Sequence, residues 1–274
     1  MNLRELIFNY KPGTDDVRTI EDMYWLIEDV FNIPRGEVPF HYEDEIDDFV
    51  FFSLWEKLKN KPIQHILGYG YFLGEKIKIN EHVLIPRNET EELVLHVLKV
   101  MKHNEYNSIL DIGVGSGAIL LSIEKQMKEK GIDILGIGVD ISKEALEIAN
   151  FNLKQFNLNS KVVLSNVYEN VNSKFDVIVS NPPYIDIEEF VEKRVLDNEP
   201  HIALFADNHG LDIYEKILKD AHKFINKGGL IAFEISPERE EGLKELINKY
   251  INYNKYEFVK DINGFIRFCY IYLN

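Results

Sequence analysis

Asn181-Pro182-Pro183-Tyr184 directly follows the apolar run Phe175-Asp176-Val177-Ile178-Val179-Ser180. A strand that ends this way presents a rigid polar lip at its carboxyl end. Neither proline has a backbone N–H, so the segment cannot extend a sheet ladder or a helix, and its carbonyls stay free as acceptors. The Asn181 amide brings one carbonyl acceptor and two N–H donors. Tyr184 adds a flat ring. Such a set can grip a planar –NH2 group, with two acceptors for its two hydrogens and an aromatic face to hold its plane. Methyl transfer to an amide or amino nitrogen needs that grip. The same four residues also read as a proline-stiffened loop between a strand and a helix, so their context has to decide.

A second chemical feature is Asp111-Ile112-Gly113-Val114-Gly115-Ser116-Gly117-Ala118, after one apolar strand and before a helix. Glycines permit a tight turn and a close backbone approach to a ligand. The helix N-terminus favours a negative group. Asp140 ends the next strand, after Ile137-Gly138-Val139, where a carboxylate can accept both hydroxyl protons of a ribose. The spacing also satisfies the loose nicotinamide-dinucleotide pattern. Two features favour S-adenosylmethionine instead. Asp111 precedes the first glycine, where a carboxylate can sit near the cationic amino acid end of that cofactor. The lip at Asn181 lies on the fourth strand, where a methyl acceptor is needed.

The elements that must position these residues follow from periodicity. Met23, Leu26, Ile27 and Val30 recur at helical spacing, with Asp15, Asp16, Glu21 and Asp22 at the front of that helix and Pro34 and Gly36 after it. A second helix is expected over 43–58, with Ile46, Phe49, Val50, Ser53 and Leu54 as its inner face and Glu43-Asp44-Glu45 as a solvated first turn. Residues 68–86 read as a β-hairpin or connecting arm. From Glu89 onward strands and helices alternate. Helices are expected over 91–101, 118–128, 143–156, 211–225 and 238–250, and strands over 108–112, 132–139, 161–164, 175–179, 230–235, 256–259 and 265–272. This order implies a parallel sheet covered by helices on both faces, with ligands beyond the carboxyl ends of the strands. The expected division is a helical domain over 1–67, a hairpin linker over 68–87 and a catalytic domain over 88–274.

Composition narrows the partners. The formal net charge is −15, and residues 1–72 carry 7 Lys/Arg against 14 Asp/Glu. No basic stripe for nucleic acid is visible, so direct sequence-specific nucleic-acid binding is not expected. No signal peptide and no membrane span is expected, which points to a cytoplasmic protein. The single Cys269 lies in an apolar alternating segment and reads as a buried structural thiol. His65, His82, His96, His201 and His209 are scattered without paired ligand spacing, so no metal site is expected. Arg87 is placed to pair with Asp111 or another loop carboxylate, or to pin the linker. A monomer is expected.

Several segments carry a family resemblance. Gln64-His65-Ile66-Leu67-Gly68, Val83-Leu84-Ile85-Pro86-Arg87-Asn88-Glu89-Thr90-Glu91, Asp111 through Ala118 and Val179 through Ile185 do so, with Glu199-Pro200, Gly210-Leu211-Asp212-Ile213-Tyr214 and Gly228-Gly229-Leu230 leading to Glu234-Ile235. Together they resemble the release-factor glutamine methyltransferase family (HemK/PrmC). The resemblance implies a class I S-adenosylmethionine-dependent methyltransferase fold, Rossmann-like with a mostly parallel seven-stranded sheet, a helical N-terminal substrate-docking domain and a β-hairpin linker. It implies methyl transfer to the N5 amide of the glutamine in the Gly-Gly-Gln motif of peptide chain release factors, leaving S-adenosylhomocysteine. Carried onto this chain, Gly113, Gly115, Ser116, Gly117, Ala118, Ile119, Asp140, the backbone around Asn166 and Val167, and Asn181 would hold the cofactor, with Asp111 beside them. Asn181, Pro182, Pro183 and Tyr184 would hold the substrate, with Asn181, Pro182 and Tyr184 at the chemistry. The chain departs from the family pattern at Asn88, usually proline, and at Asn166, usually a carboxylate. It also has Ala206-Asp207-Asn208-His209 for a glycine-richer turn, and a more apolar Phe265–Tyr270.

Two rival readings accompany this one. The Asn-Pro-Pro-Tyr lip is shared with N6-adenine methyltransferases of nucleic acid, which need a basic target-reading region. A catalytically silent methyltransferase-like binding protein is the non-enzyme rival, and the intact glycine loop, Asp140 and the lip argue against it.

Overall fold

The computed structural model describes every residue except Asp15, so the expected place of Asp15 at the front of a helix lies outside the described residues. The chain divides into two compact units, Met1–Gly68 and Tyr69–Asn274.

The first unit is helical: α1 (Leu3–Tyr10), α2 (Ile20–Phe31), α3 (Phe49–Lys57) and α4 (Ile63–Leu67). Helix α2 buries Met23, Leu26 and Ile27, as the spacing predicts. Thr19 and Asp22 close a capping box at its start, and Asn32 ends it in the left-handed conformation. Helix α1 is not anticipated from periodicity, because only Leu3 and Leu6 are buried. Its readable signal is the Asn2/Glu5 capping box. The expected helix over 43–58 is corrected to Phe49–Lys57, and its inner face is Phe51, Trp55 and Leu58. Phe49 is 78% exposed and Val50 52% exposed. The aromatic run 49–52 offers several registers, and only tertiary packing selects the one that brings Trp55 and Leu58 inward.

The second unit opens with hairpin strands β1 (Tyr69–Phe72) and β2 (Glu75–Lys78). Leu73 and Gly74 both have positive φ in the two-residue turn between them. Next come α5 (Asn88–Asn104), β3 (Ser108–Ile112), α6 (Ala118–Lys128), β4 (Leu135–Asp140), α7 (Lys143–Gln155), β5 (Lys161–Leu164) and β6 (Phe175–Ser180). After them lie α8 (Lys193–Leu196), α9 (Asp212–Phe224), β7 (Ile225–Glu234), α10 (Glu240–Tyr250), β8 (Tyr253–Lys260) and β9 (Ile266–Leu273). Strand β4 starts at Leu135 and not at Ile132, because the Ile132 amide still hydrogen-bonds back to Met127 at the end of α6. Helix α5 starts three residues earlier than periodicity suggests, directly after the extended Arg87, which puts Thr90 in its first turn.

The sheet order is β5-β4-β3-β6-β7-β9-β8. Strands β3 to β7 pair in parallel and β9 runs antiparallel between β7 and β8. This is the mixed, mostly parallel seven-stranded sheet of class I methyltransferases. Strand β6 feeds two cores: Val177 and Val179 pack with α5, α6 and α7, while Ile178, and Phe175 across a register shift, pack with α9 and α10. Cys269 is buried in β9, and burial pushes its thiol up. No described helix is long and apolar enough to cross a membrane.

Candidate active site

A cavity of about 310 Å³ opens beyond the carboxyl ends of β3, β4 and β6, where the strand order reverses and open α/β sheets hold ligands. One wall is the turn after β3. Gly113, Gly115 and Gly117 all have φ between 52° and 84°, which side chains with a Cβ rarely adopt. The Gly113 and Val114 amides donate to the Val139 carbonyl at 2.8 and 2.9 Å, tying the turn to β4. Asp140 at the end of β4 accepts from the Gly115 amide at 3.0 Å and from the Ser142 amide at 2.9 Å. Its carboxyl is raised by burial against those hydrogen bonds. Buried Asn152 on α7 donates to Ser116 O at 2.9 Å and to Lys78 O at 3.0 Å, which ties the glycine turn and β2 to one helix. Val167 stands in the left-handed region at φ 51°, strained for a β-branched residue. The Ser165 hydroxyl holds it by donating to the Val167 carbonyl at 3.1 Å.

The opposite wall is the lip. Asn181 and Pro182 line both this cavity and a second one of about 280 Å³ that Tyr184 and Glu234 also line. Asn181 Nδ2 donates to Thr90 Oγ1 at 3.3 Å, and Thr90 donates to Glu234 Oε2 at 2.6 Å. Glu234 ends β7, the neighbour of β6, and burial pushes its carboxyl up to about 7 against the Thr90 hydrogen bond. Arg87 pairs with Glu199 at 2.5 Å, and Glu199 also accepts from the Ile85 amide at 3.0 Å. Of the partners considered for Arg87, the loop carboxylate is therefore Glu199 and not Asp111.

The lip is backed by a second segment. The Ile185 amide donates to Leu204 O, and the Ala206 amide donates to Ile185 O, each at 3.0 Å. Asn208, His209 and Gly210 are three consecutive left-handed residues. A Cβ on Gly210 would lie 2.1 Å from the Tyr184 carbonyl oxygen, so only glycine lets the turn close on the lip. Arg239 donates to the His209 carbonyl and pairs with Glu189. Burial pushes the Tyr184 hydroxyl up to about 12, so the ring stays neutral.

Of the residues singled out in the sequence, Gly113, Gly115, Ser116, Ala118, Ile119, Asp140, Asn166, Val167, Asn181, Pro182 and Pro183 line the larger cavity. Tyr184 lines only the second. Asp111 and Gly117 lie behind the glycine turn. Asp111 is fully buried, and neither of its oxygens has a hydrogen-bond partner among the described residues. The Leu120 amide faces it without reaching hydrogen-bond geometry, and burial, helped by the Asp140 charge, pushes the carboxyl up to about 7. Among the described residues no group of His, Cys, Asp and Glu is arranged to hold a metal. Sequence reasoning passed over Thr90 and Glu234 as site residues. The signal for Glu234 was a carboxylate closing the apolar run Leu230-Ile231-Ala232-Phe233, as Asp140 closes β4.

These residues fit S-adenosylmethionine. Each Asp140 oxygen keeps a lone pair for a ribose hydroxyl beyond its backbone hydrogen bond. Apolar Ile119, Ile141 and Val167 flank the space for a purine. The Asp111 carboxyl behind the turn has no partner, and a cation brought near it would favour its charged form.

Comparison with known proteins agrees. The family model of the methyltransferase small domain matches residues 90–198, and that of the Eco57I restriction-modification methylase matches 154–268. The release factor glutamine methyltransferase of Staphylococcus aureus is 34% identical over 88% of this chain and 87% of its own. That of Flavobacterium psychrophilum is 35% identical over 91% and 90%, and that of Streptococcus pneumoniae 42% identical over 75% and 72%. Among solved structures, the hMettl16 catalytic domain in complex with an RNA hairpin shares the fold, with a TM-score of 0.56 and 14% identity over 85% of this chain and 94% of that one. A methyltransferase from Pyrococcus furiosus does so with a TM-score of 0.51 and 21% identity over 81% and 97%. Relatives that match along most of the chain show that it belongs to the release factor glutamine methyltransferase family, S-adenosylmethionine-dependent enzymes that methylate a protein glutamine.

Proposed function

We propose that this chain methylates the N5 amide of the glutamine in the Gly-Gly-Gln motif of a peptide chain release factor, and that the lip at Asn181 is where the amide is held. The observation that carries this is the orientation of Asn181, whose nitrogen donates inward to Thr90 and so leaves its Oδ1 to the cleft. Asp140, the glycine turn from Gly113 to Ile119 and the backbone at Asn166 and Val167 hold the cofactor. S-adenosylmethionine, when bound, supplies a methyl group made electrophilic by its sulfonium.

An amide nitrogen is a poor nucleophile because its lone pair is delocalised. Asn181 Oδ1 and the Pro182 carbonyl accept its two hydrogens, raise its electron density and stabilise positive charge as it develops. Orientation and preorganised dipoles supply the rate, not a strong base. Tyr184 is neutral and acts as a packing face for the glutamine side chain. The nitrogen gives up one proton to water once it carries the methyl group. The helical unit, read as residues 1–67, docks the release factor, with 68–87 as its link to the catalytic part. The chain works as a monomer in the cytoplasm, where release factors act.

The test is methyl transfer from labelled S-adenosylmethionine to a purified release factor, to its Gly-Gly-Gln glutamine variant and to a DNA duplex in parallel. Label on the intact factor alone is the expected result. Label on DNA would favour the nucleic-acid reading that the Eco57I-type match at 154–268 supports, and label on neither would leave a binding protein.

A further inference from the structure

Resting on the reading above, the acceptor grip needs Asn181 Oδ1 in the cleft. An asparagine amide can turn over with little change of shape, exchanging an acceptor for a pair of donors. Something must select one orientation. Behind the lip, Asn181 Nδ2 meets Thr90 Oγ1 at 3.3 Å, and Thr90 meets Glu234 Oε2 at 2.6 Å. Thr90 and Glu234 are both buried, so solvent does not compete for these bonds.

A hydroxyl has one proton, and an ionised carboxylate only accepts. Thr90 therefore gives its proton to Glu234 and offers Asn181 nothing but lone pairs. The amide answers with its N–H. We propose that Glu234, through Thr90 and through its own contact with the Asn181 amide, is a positioning residue for methyl transfer, holding that amide with its nitrogen inward and Oδ1 toward the acceptor. When Glu234 carries a proton it can donate to Thr90, and Thr90 can donate to Asn181. The amide then turns over and presents two donors to a –NH2 group that needs acceptors.

The groups around Glu234 bear on this protonation from several elements. Glu89 on α5 raises its carboxyl, while Arg267 on β9, itself paired with Asp261, and the Asn181 amide lower it. Tyr184 on the lip faces it. Tyr214 on α9 donates to its backbone carbonyl at 2.7 Å. Arg87 and Glu192 share the second cavity with it. Burial outweighs the favourable partners and brings the carboxyl to about 7, where both states can be sampled.

The test uses Thr90→Val, Thr90→Ser and Glu234→Gln in the full chain. The side-chain NH2 resonances of Asn181 are followed in nitrogen-labelled protein from about pH 5.5 to 8.5, a range spanning the raised carboxyl. Wild type and T90S should show a titration that tracks Glu234, T90V a smaller one, and E234Q none. With release factor as acceptor, T90V should lower kcat about tenfold, the worth of a good hydrogen bond. KM and cofactor affinity should stay near wild type, and T90S should restore the rate. The acid limb of the wild-type rate profile should flatten in E234Q. Asn181 resonances that titrate in E234Q as in wild type, or a T90V enzyme with full kcat and an unchanged profile, would overturn the proposal. A wild-type enzyme that leaves release factor unlabelled would sink the functional reading, while the resonances would still decide how Asn181 is held.

Discussion

On one wall of the cleft a single run of residues, Ile112 to Ile119, forms the turn that faces the cavity, with Asp140 from the next strand to pin it. On the other wall the lip, Asn181 to Tyr184, depends on distant parts of the chain: Thr90 and Glu234 behind Asn181, and against Tyr184 the Gly210 turn, which Arg239 holds through the His209 carbonyl. The first wall is built from backbone, through glycine conformations and amide hydrogen bonds. The second is built from side chains that meet only when the sheet is formed. A common cofactor suits a local, backbone-made cradle. An acceptor that must be oriented at one atom suits an assembled one.

The largest expected effect falls behind the cofactor wall. Asp111 has its carboxyl raised from 3.8 to about 7 by burial. Between those values the native chain binds more protons than the unfolded chain, so stability falls as pH rises. The stabilising contribution is full below about 4 and lost above about 7, a swing of roughly 4 kcal/mol. Asp111→Asn should remove that swing from the thermal stability of cofactor-free protein compared at acid and alkaline pH. An unchanged pH dependence would mean that the charge is compensated and that the wall is less self-contained than described.

Next is Asn181→Ala, which should lower kcat by about a hundred- to a thousandfold, as for other preorganised polar contacts, while calorimetry still detects cofactor binding. Full rate would remove the acceptor wall from the mechanism. Gly210→Ala should cost roughly 2–3 kcal/mol of stability in denaturant unfolding, because the added methyl meets the Tyr184 carbonyl at a positive φ. Its residual activity should fall through the acceptor and not through cofactor affinity. The smallest effect is expected from Asp140→Ala, a loss of cofactor affinity of about tenfold by calorimetry, with the release factor KM unchanged. If that KM moved too, the two walls would be coupled.

Legibility in the sequence follows the same division. Strands β3, β5 and β6 and helix α6 fall within a residue of their expected bounds, because each is a short run with one periodicity, and β3, β6 and α6 are followed by a glycine or proline stop. The glycine turn was legible because its conformation is set by its own residues. Helix α3 was misplaced because several aromatic registers compete at 49–52. Thr90 lay just outside the expected helix over 91–101, and the Arg87–Glu199 pair spans 112 positions. No local pattern announces either role.

By itself, the sequence determined the alternation of strands and helices, the left-handed glycine turn after β3 and the proline-stiffened lip after β6, since each is dictated by neighbours along the chain. Tertiary structure alone decided which way Asn181 faces, which carboxylate answers Arg87, and that Asp111 lies unpartnered behind the turn. Those outcomes depend on which side chains the sheet order brings side by side, and on how far burial excludes the water that would otherwise satisfy them.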